Sequence, residues 1–203
     1  MRSFQRTALM AAAAFGVWTT SAAAQESTTR GFTIGAHLGG ASLTIQDQDR
    51  NDAGGGGLTI GYGVNRNITL LAQLDGAQFD EQSTGTVEGD WTLGHVDLGV
   101  RYYFANSLRS WVPYLQAAFT FRAVGVKDPI VGGIQRDEVS ISGGGLTLGG
   151  GLHYYVSQGF ALDAQLAWTG GEFTTLRVDN TSQSGFDVDA TSGRFNLGIV
   201  WWP

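Results

Sequence analysis

Cysteine does not occur in this 203-residue chain, so neither disulfides nor cysteine-held metals contribute to its fold. Proline occurs three times and lysine once, at Lys127. Charged residues make up 15 % of the chain, against about 25 % in ordinary soluble domains, which implies that much of the surface does not face water. No segment sustains a 3.6-residue apolar period, and glycine, at 31 residues, is scattered through the apolar runs, where it would weaken helices. A helical architecture is thereby excluded.

The chain opens with Arg2 and Arg6, an apolar run from Ala8 to Trp18, and Ala22-Ala23-Ala24. That arrangement predicts a signal peptide over residues 1–24, exported and removed, followed by one domain over 25–203. The run is shorter than the roughly 18 to 20 apolar residues of a membrane helix. Without the leader the chain has 10 basic and 18 acidic residues, a charge of −8, which argues against a nucleic-acid partner.

Period two is everywhere instead. Alternate apolar positions run through Phe32–Leu38, Leu58–Val64, Ile68–Leu74, Val96–Phe104, Pro113–Phe121, Leu146–Val156, Phe160–Trp168 and Phe195–Trp201, which predicts eight strands. After Gly39-Gly40 the apolar phase moves to Ala41, Leu43 and Ile45, which predicts a one-residue bulge. Short connectors (Val64–Asn67, Ala105–Ser110, Ser157–Gly159) alternate with longer acidic ones (Gln46–Ala53, Asp80–Asp90, Val126–Glu138, Glu172–Ser192). In an up-and-down meander this puts short turns on one rim and long loops on the other, as in transmembrane β-barrels.

The opposite parity decides between a soluble and a membrane barrel. A soluble barrel would have a dense charged coat on one face. Here that set is small or polar, with Thr33, His37, Thr59, Gln73, Asp75, His95, Asp97, Arg101, Gln116, Arg122, His153, Asp163, Gln165 and Asn196 among its members. Such residues suit a narrow lumen, and the uncharged apolar set then faces lipid. Tyrosine and tryptophan favour membrane interfaces, so Tyr62, Tyr102, Tyr103, Trp111, Tyr114, Tyr154, Tyr155, Trp201 and Trp202 predict a girdle at the short-turn rim. Phe79, Trp91, Phe121, Trp168 and Phe173 predict a second at the other.

With VDLGVRYYF (Val96–Phe104), WVPYLQAAF (Trp111–Phe119), the hairpin LGGGLHYYVSQGFALDAQL and an aromatic C-terminus, the chain resembles the small outer membrane β-barrel family. That family includes the transmembrane domain of outer membrane protein A, outer membrane protein X and the opacity proteins. The resemblance implies a monomeric, eight-stranded, antiparallel up-and-down transmembrane β-barrel in a Gram-negative outer membrane, inserted by the barrel-assembly machinery. Two departures stand out. The family commonly ends in phenylalanine, whereas this chain ends Trp201-Trp202-Pro203, and nothing after strand eight corresponds to a peptidoglycan-binding domain.

Ionisable groups at membrane depth are costly unless paired, so the lumen charges are the candidate site. Arg101 is expected to meet Asp163, and Arg122 to meet Asp97 or Asp75. His37, His95 and His153 share inward parity at unlike depths, which fits lumen hydrogen bonding rather than a metal site. Barrel lipid A deacylases and palmitoyltransferases need a serine activated by histidine, and no histidine here has serine two positions on. The expectation is therefore a protein without enzymatic activity, cofactor or metal centre. Asp47-Gln48-Asp49-Arg50-Asn51 begins like a calcium loop, but Asp52 and Leu58 occupy its glycine and closing-glutamate positions. The four long connectors hold 14 acids against Arg50, Lys127, Arg136 and Arg177, a surface suited to divalent-cation bridges to lipopolysaccharide. Phe173, Asp179, Phe186, Asp187 and Asp189, in the last of them, are the candidate contacts for a surface partner. The expected role is structural and surface-interacting in the outer membrane, with a narrow passive or gated channel as the alternative and a lipid A-modifying enzyme as a more distant one.

Overall fold

A computed structural model describes residues 29–45, 51–79, 87–88, 91–104, 110–127, 130–131, 134–135, 138–178 and 181–203. Eleven strands follow in chain order: β1 (Gly31–Ile45), β2 (Asn51–Gly63), β3 (Ile68–Phe79), β4 (Val87–Glu88), β5 (Trp91–Tyr103), β6 (Trp111–Lys127), β7 (Ile130–Val131), β8 (Ile134–Gln135), β9 (Glu138–Ser157), β10 (Phe160–Val178) and β11 (Thr181–Trp201). Eight of them close into an antiparallel barrel of order β1-β11-β10-β9-β6-β5-β3-β2, with β2 returning to β1. β4, β7 and β8 form a small separate sheet above it.

Closure follows from the composition of the outer face. Leu38 and Phe119 are 75 % and 76 % exposed, and the same even or odd parity exposes Ile60, Leu74, Leu98, Leu148, Leu166 and Leu197. A contiguous apolar belt of this extent is unsuited to water and matches a hydrocarbon layer. In lipid, an open edge would leave backbone N–H and C=O groups unsatisfied at several kcal/mol each. The ladder between β1 and β11, from Ile34 opposite Trp201 to Ile45 opposite Ala190, removes that edge.

The turns at one rim are fixed locally. Asn65 Oδ1 accepts hydrogen bonds from the backbone N–H of Asn67 (2.8 Å) and Ile68 (2.9 Å), closing the β2–β3 turn. Both ends of the barrel chain reach the same rim: Thr29 donates to the Arg66 carbonyl at 2.5 Å, and the Trp202 N–H donates to the Gly159 carbonyl at 2.8 Å.

The opposite rim departs from the expectation. Glu172–Ser192 is not a loop: β10 continues to Val178, β11 starts at Thr181, and the two pair on either side of an irregularity after Phe173, with Glu172 and Phe173 opposite Asp189 and Val188 and Thr175–Val178 opposite Thr181–Ser184. Likewise β2 already begins at Asn51 and β6 runs to Lys127. Once strands leave the bilayer their outward residues turn polar, so the apolar alternation stops while the hydrogen-bond ladder continues. β6, β9, β10 and β11 therefore stand taller than β1, β2, β3 and β5.

The bulge expected at Gly39-Gly40 is also absent, because β1 keeps an unbroken register with both neighbours. The apolar phase changes for another reason. Ala41 and Leu43 point inward and join Phe79, Leu93, Val124, Phe173 and Ala190 in an apolar cap inside the upper barrel. The register shifts in β10 lie between Phe160 and Ala161 and between Phe173 and Thr175.

Candidate functional site

Between this cap and the short-turn rim, the lumen is filled by polar side chains in layers. Alternation dictates their placement, since every second residue of each strand must point inside. Arg194 occupies the centre. Its Nη1 pairs with Asp75 Oδ2, and its Nη2 donates to Asp97 Oδ2 at 2.6 Å. Asp97, with no exposed surface, also accepts from Thr120 Oγ1 at 2.7 Å. From there a hydroxyl chain continues through Thr147 and Thr169 at 2.5 and 2.6 Å. Asp75 is further held by Gln73 Nε2 (3.0 Å) and by His37 Nε2 (2.5 Å).

Toward the short-turn rim three amides close a ring. Gln73 Nε2 donates to Gln165 Oε1 (3.1 Å), Gln165 Nε2 to Gln116 Oε1 (3.1 Å), and Gln116 Nε2 to Gln73 Oε1 (3.4 Å). Asn196 Nδ2 adds a bond to Gln165 Oε1 at 3.1 Å. Arg101 donates from Nε (3.1 Å) and Nη2 (2.8 Å) to the same Gln116 oxygen. The Arg101 guanidinium lies 4.1 Å over the Tyr114 ring. Gly151 makes room for that ring, because a Cβ there would stand 2.4 Å from Tyr114 Oη.

Below this ring the lumen becomes aromatic. Tyr103, Tyr114, Tyr155 and Trp202, with Val112, Ala161 and Val200, form a second buried cluster at the short-turn mouth. Tyr155 and Trp202 stack at 5.2 Å, and the His153 ring meets Trp202 edge-on at 5.5 Å. These four aromatics were expected in the membrane girdle. The girdle positions that face outward are Tyr62, Tyr102, Trp111, Tyr154 and Trp201. In a strand, consecutive residues point to opposite faces, so Tyr102-Tyr103, Tyr154-Tyr155 and Trp201-Trp202 each supply one ring to lipid and one to the lumen. At the other rim Phe79 and Phe173 are likewise inside, whereas Phe121 and Trp168 face out.

The expected ion pairs are rearranged. Asp163 does not pair directly with Arg101. It accepts from Tyr114 Oη at 2.8 Å and lies 3.3 Å from His153 Nε2, which itself stands 3.2 Å from Arg101 Nη1. Arg122 meets neither Asp97 nor Asp75, because Arg194 already occupies both. It reaches across the lumen instead, and its Nη2 donates to the Gly171 (2.7 Å) and Ala190 (2.6 Å) carbonyls. His95, cross-strand from Arg122, has Nε2 at 3.0 Å from Ser192 Oγ. Arg194 and Ser192 fall outside the sequence-based lumen set, because the polar connector expected over Glu172–Ser192 and an apolar run beginning at Phe195 leave both positions off the strand. Their even parity, shared with Asn196, was the available signal.

Among the surface candidates, Phe173 is fully buried in the cap and so is closed to a partner. Asp187 and Asp189 are exposed on β11, and Asp179 and the Phe186 side chain lie outside the described residues. The calcium-like segment 47–50 also lies outside them. Among the described residues no group of three or more His, Asp or Glu is placed to hold a metal.

A closed antiparallel barrel with an apolar exterior and a polar interior is joined by a direct match: residues 10–199 fit the outer membrane protein beta-barrel domain family. The chain belongs to that family. Solved outer membrane barrels share its fold. Neisserial surface protein A has 18 % identity and a TM-score of 0.61, covering 84 % of this chain and 96 % of its own. Ail, the attachment invasion locus protein of Yersinia pestis, has 14 % identity and a TM-score of 0.54 over 85 % and 99 %. OprG from Pseudomonas aeruginosa has 10 % identity and a TM-score of 0.54 over 87 % and 98 %. No curated protein matches the chain. This outer membrane barrel thus shares its fold with these proteins, while its lumen chemistry is that of its own side chains.

Proposed function

We propose that this protein is an occluded, non-enzymatic barrel of the Gram-negative outer membrane, exported through the 1–24 leader, that serves envelope structure and surface contact rather than solute passage. One observation carries the reading: the lumen is blocked in series by the aromatic cluster, the three-glutamine ring, the Arg194 ion cluster and the apolar cap. Between them, two voids along the β1–β3 wall each hold about 10 Å³, room for roughly one water. An eight-stranded lumen is normally just wide enough for side chains to fill. Among the described residues the one Ser–His hydrogen bond in the lumen, Ser192–His95, joins two side chains that are both buried, which supports a barrel without acyl-transfer chemistry.

The runner-up is a narrow channel running through those two voids, with the His37–Asp75 contact between them. Planar-bilayer recording separates the two readings. Occlusion predicts no steady conductance at modest voltage, whereas a stable ohmic level in the unmodified protein would refute it. On the outside, the tall β10–β11 hairpin with exposed Glu172, Asp187 and Asp189 supports divalent-cation bridging to lipopolysaccharide as its surface chemistry.

A further inference from the structure

The side chains of the short-turn rim have charge of one sign. Its three connectors contain Arg66 and Arg109 and no aspartate or glutamate. Among the described residues the one acidic side chain near this rim, Asp163, belongs to the lumen, where Tyr114 and His153 hold it. Arg30 and Arg66 are brought to one corner by the local backbone. Thr29 Oγ1 donates to the Arg66 carbonyl, which ties the start of β1 to the β2–β3 turn. Gly31, at φ 94°, bends the chain there, and its cross-strand partner Gly63 is bare because a Cβ would collide with the Thr29 carbonyl and the Arg30 backbone. Both arginines are exposed. On their membrane side the register sets outward residues in pairs, Phe32 opposite Tyr62, Ile34 opposite Ile60 and Ala36 opposite Leu58, all of them exposed. One column of the outer wall thus passes from cations through an aromatic pair to aliphatic side chains, the order of phosphate, glycerol and acyl chain in a phospholipid.

We infer that this β1–β2 corner binds an anionic phospholipid of the periplasmic leaflet, with the headgroup phosphate against Arg30 and Arg66 and an acyl chain along Ile34, Ile60 and Leu58. A guanidinium offers phosphate oxygens paired donors as well as charge, and it stays ionised at any relevant pH. Phe32 and Tyr62 fix the depth, because amphipathic rings settle at the headgroup level. The aliphatic pairs below them give the chain a continuous apolar track, which a soluble phosphate would not use. At the opposite rim Glu172, Asp187 and Asp189 are exposed and would repel the same headgroup. The corner therefore selects one leaflet, provided that the short turns lie at the periplasm as in other transmembrane barrels.

Native mass spectrometry of the purified barrel in neutral detergent, with phosphatidylglycerol or phosphatidylcholine of identical chains added, tests the assignment. Phosphatidylglycerol should be retained in preference to phosphatidylcholine. The double variant Arg30→Gln/Arg66→Gln should bind it roughly 30-fold more weakly, at about five-fold for each arginine beside an anionic headgroup. Arg177→Gln, at the other rim, should leave retention unchanged. Equal retention of the two lipids, undiminished retention in the double variant, or an equal loss in Arg177→Gln would overturn the proposal. So would co-sedimentation with peptidoglycan that the double variant loses while keeping phosphatidylglycerol, since the corner would then contact the cell wall instead. If the double variant does not fold, Arg30→Gln alone decides: a loss of about five-fold supports the site, and no loss refutes it.

Discussion

Replacing Arg194 by methionine strips the central cluster of the one cation that holds two carboxylates. The side chain has little exposed surface, and Asp97 has none. After the change Asp97 keeps only the Thr120 hydroxyl, whereas Asp75 keeps His37 and Gln73. Breaking a buried pair by removing one partner costs about 3–5 kcal/mol, because the remaining charge stays buried without compensation. With a urea slope of about 2 kcal/mol per molar, the unfolding midpoint should fall by roughly 1.5 to 2.5 M. The assay is reversible urea titration of the barrel in lipid vesicles, followed by tryptophan fluorescence. Asp97→Asn in the same background should recover part of the loss, giving a coupling energy of about 1–3 kcal/mol in a double-mutant cycle. A midpoint within 0.3 M of the parent, as an order-of-magnitude threshold, or additive single effects would show that Arg194 does not hold the lumen together.

Two further outcomes test the faces of the wall. Leu166, 65 % exposed on the lipid side, should cost about 2–4 kcal/mol as Leu166→Arg but little as Leu166→Ala, measured by the same titration in vesicles; equal effects would mean that this face is not in hydrocarbon. Trp202→Ala should cost about 3 kcal/mol through loss of its stacking on Tyr155, whereas Tyr62→Ala on the outer girdle should cost far less. Comparable losses at the two positions would remove the distinction between lumen and girdle aromatics.

Membrane-spanning strands could be read from the sequence because lipid and lumen impose opposite demands on adjacent residues. Leu146–Val156 and Phe160–Trp168 show this plainly, and both are paired as expected within β9 and β10. The aromatics were misread where chemistry was allowed to override parity: Tyr103, Tyr114, Tyr155 and Trp202 have the composition of an interface but the register of a core. Above the bilayer both faces of a strand meet water or a small apolar cap, so no periodic signal marks Glu172–Val178 or Thr181–Ala190 as strand. The polar members of the lumen were legible one by one, but their pairing was not. Which arginine reaches which carboxylate depends on strand stagger around the barrel, and that is why Arg194 and not Arg122 holds Asp75 and Asp97.

The glutamine ring has a handedness. Three amides linked head to tail can circulate hydrogen bonds in either sense with equal geometry, and reversing one requires reversing all. Arg101 and Asp75 break the tie together: a guanidinium that only donates holds the Gln116 oxygen toward itself, and a carboxylate that only accepts holds the Gln73 amide nitrogen, both in the same sense. The sense of the whole layer is thereby set from two sides, and losing Arg101 alone would leave the Asp75 carboxylate to hold the barrel's midsection in the same one of its two arrangements.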